Sequence, residues 1–103
     1  MASGILGQSS PSATTNTTVY TVPVATVASF AVSFCNRAST AATIRLAIAS
    51  SGTPTNAEWL LYDVQIPGNS ALERTAIVAN AGENVVVYTS TANVSVSVYG
   101  YEG

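Results

Sequence analysis

Tyr20–Ile48 reads Y-T-V-P-V-A-T-V-A-S-F-A-V-S-F-C-N-R-A-S-T-A-A-T-I-R-L-A-I, and its alternation decides the fold class. Phe30, Val32 and Phe34 fall on one side of an extended chain, and Ser29, Ala31, Ser33 and Cys35 on the other. After the turn-rich Asn36-Arg37-Ala38-Ser39-Thr40 the pattern resumes, with Ile44, Leu46 and Ile48 against Thr43, Arg45 and Ala47. Successive side chains of a strand point to opposite faces, so each run carries one apolar face and one small or polar face. Two such runs joined by a short loop predict an antiparallel hairpin, Val27–Asn36 with Ala42–Ala49, at the centre of the fold.

The flanking sequence supplies further strands. Thr17–Val22 is β-rich and is stopped by Pro23, which lacks a ladder donor. Ser50–Asn56 is a loop of turn-forming residues, followed by a strand over Glu58–Ile66 that ends at Pro67-Gly68-Asn69. In that strand, plain alternation sets Leu60, Tyr62, Val64 and Ile66 on one face and Trp59, Leu61, Asp63 and Gln65 on the other. Leu72–Val78 is partly charged and reads as an edge strand. Asn84–Ser90 and Val94–Tyr101 read as a last pair, with Val94, Val96 and Val98 opposed to Ser95, Ser97 and Tyr99. Seven or eight short strands and no helical periodicity predict an all-β antiparallel sandwich, jelly-roll or Ig-like in architecture. Residues 18–103 form its single domain. Residues 1–17, with a run of Ser, Thr and Asn from Ser9 on, read as an extended N-terminal arm that either offers Ile5 and Leu6 to a neighbouring subunit or frays as a terminus. Deleting residues 1–12 is then expected to leave the domain folded and to weaken assembly.

Composition narrows function. The chain has 103 residues, 48% of them hydrophobic and 8% charged, where soluble domains carry about 25% charged residues. It has three arginines, five acids, and neither lysine nor histidine. Such an exterior resists association poorly and predicts coverage by other subunits in a homo-oligomer. Three arginines make no electrostatic footprint for nucleic acid. No apolar run reaches the length of a membrane span, and the first residues lack the basic start and apolar segment of a secretory signal. Without histidine, and with the lone Cys35, the familiar Ser-His-Asp and Cys-His nucleophile systems cannot be assembled. Glu58, Asp63, Glu73, Glu83 and Glu102 are scattered, without the spacing of a metal site or of a paired-carboxylate centre. The expectation is a non-enzymatic chain with no cofactor and no metal. Cys35 reads as a small buried residue, and Arg37, Arg45 and Arg74 as solvated surface arginines, with acids across strands or across subunits as the alternative partners of Arg45 and Arg74. The candidate interaction residues are Ile5, Leu6, Trp59, Tyr88, Tyr99 and Tyr101, with Tyr99 and Tyr101 lining an outer surface beside Ser95 and Ser97.

Several segments also share a resemblance. Gly4-Ile5-Leu6-Gly7-Gln8, Thr18-Val19-Tyr20-Thr21-Val22-Pro23, and Cys35-Asn36-Arg37 leading into Thr43-Ile44-Arg45-Leu46-Ala47-Ile48 carry it. Tyr62-Asp63, Ile66-Pro67, Leu72-Glu73-Arg74-Thr75 and Val94-Ser95-Val96-Ser97-Val98-Tyr99-Gly100 extend it along the chain. Together they resemble small virion structural proteins of tailed bacteriophages, cyanophages among them. The resemblance implies a compact β module of the virion that decorates or cements the capsid and has other virion proteins as partners. The alternative it leaves is a tail-fibre or baseplate-associated module that stacks host-surface carbohydrate on Trp59 or the tyrosines. It carries no active site across.

Overall fold

Strands form where the alternation places them, with one more at the N-terminus. The computed structural model describes residues 2–103; Met1, the first residue of the expected arm, lies outside them. The strands are β1 (Ala2–Ser9), β2 (Thr17–Thr21), β3 (Val27–Asn36), β4 (Ala42–Ala49), β5 (Trp59–Ile66), β6 (Ala71–Asn80), β7 (Asn84–Thr89) and β8 (Val94–Glu102). They build two four-stranded antiparallel sheets, β1-β8-β3-β6 and β2-β7-β4-β5. The inward residues of both sheets make one core. Phe30, Val32, Phe34, Val96 and Val98 come from the first sheet, and Tyr20, Ile44, Leu46, Val85 and Val87 from the second.

The expected central hairpin does not form. β3 lies between β8 and β6, and β4 lies between β7 and β5 in the opposite sheet. The expected last pair separates in the same way, β7 joining one sheet and β8 the other. Two neighbouring strands with apolar faces can bury them side by side or across a sandwich, and alternation is identical in both cases. Only β4 and β5, among consecutive strands, are hydrogen-bonded neighbours. An immunoglobulin order would set the first two strands side by side; here every other connection crosses between sheets, which is the jelly-roll arrangement of two interlocked Greek keys.

Asn36 holds the corner at which β3 leaves its sheet. It is buried, and its Nδ2 donates to the carbonyl oxygens of Thr40 at 2.8 Å, Ile66 at 3.1 Å and Pro67 at 3.3 Å. Its Oδ1 accepts from the Ala38 N–H at 3.0 Å. One side chain thus ties the β3–β4 corner to the end of β5. Gly68 lies so close to the Ser39 carbonyl that a Cβ would collide with backbone. Asn36→Ala leaves buried carbonyls without a donor and is expected to cost about 2–3 kcal/mol in urea unfolding. Asn36→Asp, which turns an acceptor toward those oxygens, should cost more than alanine.

The expected arm is corrected over residues 2–9. These form an edge strand on β8, from Ala2 opposite Glu102 to Ser9 opposite Val96. Leu6 sits at a bulge in this strand and packs on the core. Composition suggests a free arm because the stretch is small and polar. Its backbone, however, satisfies the open edge of β8, and one leucine is enough to seat it. Residues 2–9 are therefore part of the sandwich, and deletion of residues 1–12 is expected to lower the midpoint of thermal unfolding by roughly 10 °C. An unchanged midpoint would restore the free-arm reading.

A second tie closes the opposite end. Tyr20, from β2, donates its hydroxyl to Glu102 Oε2 at the end of β8 and packs edge-on against Phe30, with ring centroids 6.0 Å apart. Burial, then the hydrogen bond and charge of Glu102, push the Tyr20 phenol far above its ordinary value. A phenol held protonated by the fold stabilises it fully below the unfolded value of about 10. That contribution is lost as the pH climbs from there toward the folded value, because the unfolded chain then releases the proton first. Thermal unfolding between pH 8 and pH 11 should therefore fall more steeply for the native chain than for Tyr20→Phe.

Candidate interaction surfaces

Alternation along β8 and β3 sends two sets of residues outward from the first sheet. Tyr101 stands opposite Ser3 of β1 and Ser29 of β3, and Ser29 opposite Val78 of β6. One step along, Tyr99 stands opposite Ile5 and Ala31. Beyond them come Ser97 with Gln8 and Ser33, and Ser95 with Cys35. Ile5, Tyr101 and Val78 are 58%, 55% and 65% exposed, whereas Tyr99 is half-buried. Three of the expected interaction residues, Ile5, Tyr99 and Tyr101, therefore share one face. Leu6 does not join them, since it follows Ile5 in the strand and turns to the core. Cys35 is exposed on this face and not buried; its outward place in the β3 alternation outweighs the general tendency of free cysteine to be buried.

The second sheet carries a different cluster. Between Leu46–Leu61 and Ile44–Val64 the β5 strand holds one residue more than β4, so Tyr62 and Asp63 both stand opposite Arg45. Asp63 takes the left-handed conformation this requires, with φ 53°. The bulge interrupts the plain alternation: Val64 and Ile66 keep their shared face on the core, but Leu61 joins them there and Tyr62 turns out. Arg45 Nε donates to Asp63 Oδ1 at 2.6 Å, and the guanidinium carbon lies 4.2 Å from the Tyr62 ring centroid and 4.3 Å from that of Tyr88. The Asp63 hydrogen bond raises the Arg45 pKa further above its ordinary value. Trp59 meets Tyr62 edge-on at 5.3 Å and covers Ala47, Ala49 and Val86. Arg45 is thus a clamped cation between two rings and not a free surface arginine. Trp59 and Tyr88 are legible as candidates in the sequence; Arg45, Tyr62 and Asp63 are not, because only the bulge brings them together.

Three of the remaining ions are also tied internally. Glu58 accepts from the Ser50 and Thr55 N–H groups at 3.0 and 2.8 Å, and these backbone bonds hold its carboxyl below the usual range. Glu83 accepts from the Asn80 N–H at 2.6 Å. Arg37 donates to Ser10 Oγ at 2.8 Å and to the Ala92 carbonyl at 3.1 Å. Among the described residues, Glu73 and Arg74 on edge strand β6 are the charged side chains that make no such bond.

The edges share a further property. Each pairing that involves an edge strand, β1–β8, β2–β7, β3–β6 and β4–β5, contains a register shift. The two central pairings, β3–β8 and β4–β7, run without one. A bulge twists an edge away from a passing strand and blunts it as a template. In a chain this poor in charge, backbone irregularity guards all four edges.

The described residues enclose no pocket and contain no group of three or more His, Cys, Asp or Glu side chains placed to hold a metal. No protein-family model, curated protein or solved structure matches the chain.

Proposed function

We propose that this chain is a non-enzymatic structural subunit of a bacteriophage virion, a capsid decoration or cement protein that is covered by its neighbours on the particle. The observation that carries the reading is the state of its charges. Among the described residues, six of the eight charged side chains are bound to groups of the same chain, and Glu73 and Arg74, both exposed on edge strand β6, make no such bond. An exterior of serine, tyrosine and aliphatic side chains with so few free ions suits burial in a lattice better than permanent solvation. The absence of any cleft among the described residues, and of histidine from the chain, supports a role without turnover. Jelly rolls serve widely in viral shells, an analogy of fold that agrees with the sequence resemblance.

The test is the composition of the particle. Mass spectrometry and antibody labelling of purified virions should find the chain in many copies on the head. Its absence from particles would end the proposal.

The exposed rings beside Asp63 favour a second reading, a tail-associated module that binds host-surface carbohydrate. Tyr62 is 54% exposed and lies beside Trp59 and a carboxylate, groups that suit sugar stacking and hydrogen bonding. A glycan array with native chain, Trp59→Ala and Tyr62→Ala decides it: binding lost in both variants favours the tail module.

A further inference from the structure

We propose that the outer face of the β1-β8-β3-β6 sheet is the seat of a second copy of this chain, packed face to face about a two-fold axis. The inference rests on the reading of the chain as a covered subunit, and it names one of the neighbours that covers it.

Three observations converge on this face. The first is its chemistry. Val78, Tyr101, Tyr99 and Ile5 span the sheet together with Ala31 and Ser29 of β3, Ser29 lying between Tyr101 and Val78, and Ser33 and Ser97 follow in the next row. Tyrosine provides large contact area with little loss of side-chain freedom, and serine hydroxyls complete the hydrogen bonding at the rim. The second is charge. Glu73, opposite Ser33 on edge strand β6, is the charged residue that alternation sends to this face. It sits at the margin, off a two-fold through the centre, so two copies meet without setting like charges against each other. A neutral hydroxyl-and-aromatic surface has its best complement in another of the same kind, and an isologous contact uses one patch on both copies.

The third is the exclusion of alternatives within the molecule. All four edges are bulged, which disfavours extension of either sheet by strand pairing. The opposite sheet has already covered Ala47, Ala49 and Val86 with Trp59 and filled its centre with the Arg45–Asp63 pair. Size is adequate. Four strands about 4.8 Å apart and about eight residues long at ~3.3 Å each give a projected face near 500 Å². Side-chain relief raises its accessible area toward the ~800 Å² that each partner contributes to a standard interface.

Cys35 lies on the same face and is the chain's one cysteine, so the unaltered protein carries its own reporter. The experiment measures sedimentation equilibrium of the full chain over a wide concentration range, with maleimide labelling of Cys35 at each concentration. Tyr101→Asp, Val78→Asp and, on the opposite sheet, Tyr62→Asp are measured alongside, with thermal unfolding of each. The expected result is a dimer whose dissociation constant rises about tenfold or more in Tyr101→Asp and in Val78→Asp, and is unchanged in Tyr62→Asp. Cys35 labelling should slow as the dimer forms. Should an aspartate variant fail to fold, Tyr101→Ser and the native labelling curve decide the matter. A chain that stays monomeric at every concentration overturns the proposal, as does a dimer weakened only by Tyr62→Asp. A monomer that loses incorporation into particles through Tyr101→Asp assigns the face to another virion protein; it overturns the second copy while leaving the virion role standing.

Discussion

Phe34→Ala is expected to lower the free energy of unfolding by about 3–5 kcal/mol. The ring is 0% exposed in a strand with neighbours on both sides, opposite Val96 of β8 and Leu72 of β6. The chain has only two phenylalanines, and most of the side chains around them are valines or alanines. Short branched neighbours cannot reach into the space a lost ring leaves, so the cavity persists and the cost stays near the upper part of that range. A domain of this size has roughly 5–15 kcal/mol in total, so the variant should unfold at a much lower urea concentration with an unchanged m-value. A loss under about 1 kcal/mol would mean that the sheets do not close on this ring.

Gly100→Val is the second large effect, and it arises from backbone contact. Gly100 stands in β8 between Gly4 of β1 and Phe30 of β3. Its φ is +154°, which side chains rarely adopt, and a Cβ there would run into the Ser29 carbonyl oxygen and the Phe30 backbone. Neither obstacle is a flexible side-chain end, so the β8–β3 ladder must shift. A cost of at least about 3 kcal/mol is expected, from strain of about 1–3 kcal/mol and the steric displacement added to it. Gly82→Ala is the matched control. Gly82 also has positive φ, +85°, but a Cβ there meets nothing within 4 Å, so only the conformational cost of about 1 kcal/mol should appear. Comparable losses in the two variants would show that crowding at Gly100 is not the cause.

The candidate surfaces are partly legible in the amino-acid sequence. Simple alternation places Tyr99 and Tyr101 on the outside with Ser95 and Ser97, and β8 keeps that alternation through Tyr99. For Cys35 the general burial tendency of free cysteine points inward, whereas its own position next to Phe34 in the alternation points outward, and position prevails. Tyr62 departs from its expected face because alternation assumes a regular strand. Nothing in Leu60-Leu61-Tyr62-Asp63 announces a bulge; aspartate tolerates the left-handed conformation without requiring it. Arg45 and Asp63, eighteen residues apart, meet only through the register of β4 with β5. The work of Asn36 is equally hidden, since an asparagine beside a turn usually serves the turn alone.

By itself, the order of residues determined that this protein is all-β, where most of its strands lie, and which side chains along Phe30–Phe34, Ile44–Ile48 and Val94–Val98 turn inward. It also determined the shortage of ions on which the functional proposal rests. These are local properties, set by a two-residue period and by composition. Tertiary structure alone decided that β3 and β4 face each other across a core and do not pair, that residues 2–9 complete a sheet, and that Arg45 is clamped between two rings. Each depends on which distant backbone satisfies a given strand's N–H and C=O groups, and a period of two carries no record of that choice.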